Sequence, residues 1–143
     1  MSDYILDLAV YKAIFRMEDY GNLARQFATD LHTKYSPILE KLLKITTMQE
    51  KYLKQFEEIL LELKTAKKLA EKIGEQIAII AKQEKELDFK DNDLILGAFH
   101  LTKIEAENGL DFYKKQISEI SKLCNEFLAI HNVKTSDKLT NTN

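Results

Sequence analysis

The stretch ILEKLLKITTMQEKYLKQFEEILLELKTAKKLAEKIGEQIAII, residues 38–80, decides the fold. Stepping alternately by four and three from Ile38 meets Leu42, Ile45, Gln49, Tyr52, Phe56, Ile59, Leu63, Ala66, Ala70, Ile73, Ile77 and Ile80, with Gln49 the sole polar member. Six heptads in one phase are the pattern of a helix whose apolar stripe faces partner helices along its length. This predicts one helix over about 37–87, roughly 75 Å long at 1.5 Å per residue. Gly74 falls inside it, and a glycine in a helix interior costs about 1 kcal/mol relative to alanine. The unchanged phase across Gly74 favours a continuous helix; a break there, folding the chain into a compact four-helix bundle, is the alternative.

Upstream, Lys34-Tyr35-Ser36-Pro37 reads as a boundary, because Ser36 is a good N-cap, Pro37 suits a first helical turn and Glu40 supports the start. A first helix is therefore expected over about 4–33. Its seam is Val10, Ile14, Met17, Gly21, Ala24, Ala28, Leu31 and Tyr35, small in the middle where another helix can approach closely. Leu8, Tyr11, Phe15, Tyr20 and Phe27 widen the apolar surface, so this helix is expected to be covered on more than one side. Downstream, Asp88-Phe89-Lys90-Asp91-Asn92-Asp93 offers turn and cap chemistry. The third helix, about 92–132, carries Phe99, Lys103, Ala106, Leu110, Tyr113, Ile117, Ile120, Cys124 and Phe127 at the same spacing. The expected fold is all-α: a long antiparallel bundle or coiled coil of three long helices, one domain over 1–132, followed by a polar, disordered tail over 133–143.

Composition agrees. Four glycines and one proline in 143 residues leave little of the turn chemistry that sheets need, while 45% hydrophobic residues are ample for a core. A formal net charge of -2 lacks the basic excess of a nucleic-acid binder, so no nucleic-acid partner is expected. No run approaches the roughly 20 apolar residues of a membrane span, the N-terminus has no secretory pattern, and a lone cysteine suits a reducing compartment, so a cytoplasmic place is expected. Cys124, among Leu123, Phe127 and Leu128, reads as a core filler.

The unequal predicted lengths carry a functional expectation. A first helix ending near residue 33 covers half of the second, leaving about 63–110 as a bare two-helix hairpin. Ala66, Ala70, Ile73, Ile77, Ile80, Leu96 and Phe99 are then the expected interface for a homodimer or a protein partner. Chemistry is sparse. His32, His100 and His131 are far apart and have no acidic partner at helical ligand spacing, and no metal, nucleotide or nucleophile motif occurs, so no catalytic, cofactor or metal site is predicted. Lys64, Lys67, Lys68 and Lys72 are diluted by Glu62, Glu71 and Glu75, as on any solvated helix face.

The segment KIEAENGLDFYK, residues 103–114, resembles the third helix of ferritin-like, rubrerythrin-type proteins, where a metal-binding Glu is followed by a Phe-Tyr pair. Residues 14–20, IFRMEDY, echo it, aligning Glu18 with Glu105 and Leu23 with Leu110. The resemblance implies four helices around a di-iron centre. Glu50 and Glu126 are the counterparts on the other two helices, but Leu53 and Ala129 stand where that family has histidines, which implies a degenerate or incomplete carboxylate site. The expected function is a non-enzymatic helical interaction or scaffold module acting by self-association or partner-helix binding. A ferritin-like bundle with an incomplete site, and a BAR-like membrane-surface module built from an elongated three-helix dimer, are the alternatives.

Overall fold

Residues 8–131 are described by the structure, a computed structural model. They form α1 (Leu8–Lys44), α2 (Glu50–Lys82) and α3 (Asp93–His131), with one turn of 3-10 helix, Gln83–Glu86, following α2. Phe56 stacks on Phe127 and Gly74 faces Leu110, so α2 runs antiparallel to α3; Gly21 stands over Ala106 and Leu42 meets His131, so α1 and α3 run parallel. Short connections impose this order.

The expected boundary at Lys34–Pro37 is not formed, and α1 continues through Pro37 to Lys44. Proline costs a helix interior about 3 kcal/mol. Tyr35, Leu39 and Leu42 prolong the row of Ala24, Ala28 and Leu31 and are all buried, and at about 1.5 to 3 kcal/mol for each large side chain their burial outweighs that cost. Ser36 caps nothing; its hydroxyl lies 3.3 Å from His32 Nδ1 one turn back. The true break is at residues 45–49, inside the stretch that kept its phase. Gln49, the single polar member of that series, is the residue preceding α2, with extended backbone (φ -126, ψ 155). Ile45 and Met48 remain half-buried against the core, so the apolar spacing runs on through a turn that has neither glycine nor proline.

Moving the boundary equalises the helices at 37, 33 and 39 residues. The bare hairpin expected over 63–110 therefore does not exist, because α1 lies over that end as well. Gly74 sits within α2, which is unbroken, so the four-helix alternative with a break there is not formed. Phe56, Ile59, Leu63, Ala66, Ala70, Ile73, Ile77 and Ile80 are buried as their spacing predicts, and on α3 every seam position from Phe99 to Phe127 is buried except Lys103, which is half-buried.

The second turn follows the expected chemistry. Asn92 Oδ1 accepts from the backbone N–H of Leu94 (3.1 Å) and Ile95 (3.2 Å), capping α3, and Asp88 Oδ1 accepts from Lys90 N–H at 2.9 Å. Lys90 and Asp91 hold left-handed backbone (φ 56 and 55), the sharp bend that returns the chain. Phe89 packs edge-on against the buried Phe99 with ring centroids 5.5 Å apart and ties the turn to the core.

Candidate functional site

Of the seven side chains expected at an interface, Ala66, Ala70, Ile73, Ile77, Ile80 and Phe99 lie inside the chain's own core, and Leu96 is half-buried beside the second turn. Ile80 and Phe99 pack with Ala13 and Met17 of α1. They hold the bundle together and are not available to a partner in this fold.

The histidines are each engaged by structure. His32 meets Ser36; His100 Nε2 donates to Glu84 Oε1 at 2.9 Å, joining α3 to the 3-10 turn; His131 Nε2 donates to the Leu42 carbonyl at 2.9 Å, satisfying one of the open carbonyls at the end of α1. Glu18, Glu50, Glu105 and Glu126 are all exposed, and among the described residues no group of three or more His, Cys, Asp or Glu is placed to hold a metal ion. Lys64, Lys67, Lys68 and Lys72 are exposed along α2.

Cys124 is buried, and burial pushes its thiol up to about 12; Tyr113, also buried, is pushed up to about 12 by burial and by Glu62. Both groups resist losing a proton in the folded chain. Their contribution is complete below the ordinary values of 9.0 and 10.0 and is lost as pH rises toward 12. Melting followed by circular dichroism is expected to show stability falling from about pH 9, by about 4 kcal/mol at pH 11 with Cys124 carrying the larger share, and the fall is expected to be reduced in Cys124→Ala and Tyr113→Phe.

Among the described residues Leu23, Leu61, Ile79, Phe112 and Ile130 are exposed outside the core, and a further group of exposed apolar side chains lies together on one face of α1 and α3. On α1, Leu8, Tyr11, Phe15, Glu18, Asn22 and Arg25 fall on one row at alternate spacings of three and four. On α3, Leu94, Ala98, Leu101, Glu105, Asn108 and Phe112 do the same. The two rows border each other, because Arg25 Nη2 donates to the Glu105 carbonyl at 2.7 Å across the α1–α3 seam. With Gly21 over Ala106 and Phe27 on Tyr113, the helices are in register so that Leu8, Tyr11 and Phe15 stand level with Leu94, Ala98 and Leu101. Both rows lie on the side of the α1–α3 pair turned away from α2, since Phe27, Tyr113 and Leu110 occupy the side turned toward it.

The first three levels of this face are apolar. Leu8, Tyr11, Phe15, Leu94, Leu101 and the flanking Ile104 are between 37% and 85% exposed, and the Tyr11 and Phe15 rings stack at 6.4 Å. Beyond them Glu18 and Glu105 bound the patch. The sequence marks surplus apolar surface around Leu8, Tyr11 and Phe15, but the expected cover on a second side of α1 is not formed for these three, which are exposed. The α3 half carried a signal that the main seam masked: Leu94, Leu101 and Ile104 repeat at helical spacing on the opposite side of the helix from Phe99 and Ala106.

Comparison with protein families, with characterised proteins and with solved structures finds no match for this chain. Among the described residues no helix is long and apolar enough to cross a membrane.

Proposed function

We propose that this chain is a non-enzymatic helical interaction module that binds through the outer face of the α1–α3 pair. One observation carries this function: Leu8, Tyr11 and Phe15 of α1 stand level with Leu94 and Leu101 of α3 on one exposed face, flanked by Ile104, while the seam on the opposite side of the same helices is filled by the chain itself. Isolated exposed hydrophobics are ordinary, but a contiguous patch of several hundred square ångströms marks a contact surface. The rigid bundle beneath supports it, because Gly21 and Gly109 bring the two helices together with little freedom to slide. A cytoplasmic setting fits its single thiol.

A photo-crosslinking amino acid placed at Leu101 of the full chain, in its own cells, is expected to form discrete covalent adducts that disappear when Phe15→Glu is added. The same probe at Lys68, on the outer face of α2, is expected to form none. Equal adducts from both positions, or none from either, would remove the face from consideration.

A further inference from the structure

Resting on the interaction role above, we infer that the occupant of the α1–α3 face is a second copy of this chain, packed antiparallel about a two-fold axis at the level of Tyr11 and Ala98. The area is adequate. Leu8, Tyr11, Phe15, Leu94 and Leu101 at their observed exposures leave on the order of 100 Å² each, roughly 500 Å² for each copy, and two such patches together reach about 1,000 Å², the size of a weak, reversible contact. An apolar patch is complementary to itself, as an isologous contact requires, and a net charge of -2 offers little repulsion between copies.

The antiparallel direction follows from the residues that end the patch. Glu18 and Glu105 stand one level beyond Phe15 and Leu101 and are both exposed. In a parallel pair these four carboxylates would meet one another across the interface; in the antiparallel pair they are carried to opposite ends of it. Phe15 then faces Leu8 of the second copy, Leu101 faces Leu94, and Ala98 faces its own counterpart. The α3 helices can approach closely there, because Ala98 is small.

Light scattering on the full chain at about 100 μM, where a micromolar association would be nearly complete, is expected to give a mass close to twice 16.6 kDa. That mass should fall toward 16.6 kDa on dilution. Phe15→Glu and Leu101→Glu, both at exposed positions, are expected to stay monomeric with unchanged helicity. Ala98→Cys is expected to form a disulfide-linked dimer under a mild oxidant, because residues on the axis meet their own copies, whereas Glu119→Cys is not; the native Cys124 is buried and does not compete. A chain that is monomeric at every concentration, or a dimer untouched by both glutamate variants, would overturn the inference, and so would a dimer that links through position 119 and not 98. A monomer that still gives Phe15-dependent adducts with a different protein would retain the interaction role while losing the second copy; a monomer with no such adducts would lose both.

Discussion

Phe127→Ala is expected to lower stability by about 3 to 5 kcal/mol, read as a fall in the urea midpoint with an unchanged slope. Phe127 is fully buried and stacks on Phe56 with centroids 4.2 Å apart and planes 29° from parallel, so the pair closes the end of the bundle where α2 begins and α3 finishes. Its other side carries His131, whose ring lies 4.8 Å away and whose Nε2 donates to the Leu42 carbonyl. Removing the ring therefore leaves a cavity, deprives Phe56 of its partner and loosens the His131–Leu42 link between the ends of α1 and α3. Hydrogen exchange should quicken in the last turn of α3 in addition to the global loss. Phe127→Leu fills most of the volume and is expected to cost about 1.5 kcal/mol or less. Against a total stability of about 5 to 15 kcal/mol, the alanine variant leaves a marginal chain.

The fold class and nearly every core residue were legible from spacing, because an apolar seam at alternate steps of three and four has one simple solution in three dimensions. The helix ends were not. Ser36 and Pro37 have strong local preferences for a helix start, yet a local preference is worth a few kcal/mol at most and Tyr35, Leu39 and Leu42 together outweigh it. In Ile45-Thr46-Thr47-Met48-Gln49 the apolar residues still reach the core from a non-helical backbone, so phase was preserved where the helix was not. The single polar step at Gln49 was the trace of that turn. One misplaced boundary then transferred Ile73, Ile77, Ile80 and Phe99 from the core to an imagined interface. The surplus apolar width of the first helix was expected to be covered, yet Leu8, Tyr11 and Phe15 are left exposed because α2 and α3 both pack on the other side of α1.

Gly21→Val is expected to cost about 3 kcal/mol or more, although valine is larger and more apolar than the residue it replaces. A Cβ at Gly21 would stand 2.7 Å from Ala106 Cα, and one at Gly109 would stand 2.6 Å from the Gly21 carbonyl oxygen. In both cases the obstacle is backbone, which cannot rotate aside, so α1 and α3 must separate. Glycine elsewhere in these helices makes the comparison sharp. A Cβ at Gly74 meets only the end of the Leu110 side chain, at 3.2 Å, and one at Gly97 meets nothing within 4 Å. Gly97→Ala is therefore expected to stabilise the chain by about 0.5 to 1 kcal/mol through helix propensity alone, and Gly74→Ala to be close to neutral. Gly21→Ala, with the same propensity gain, should still be a net loss, and the difference between it and Gly97→Ala in thermal unfolding measures the close approach directly. The same contact sets the outer face. Parting α1 from α3 at Gly21 stretches the Arg25–Glu105 link and tilts the row of Leu8 and Phe15 away from the row of Leu94 and Leu101. Gly21→Val is thus expected to reduce dimer mass in light scattering at temperatures where the chain is still folded, even though residue 21 touches no second copy.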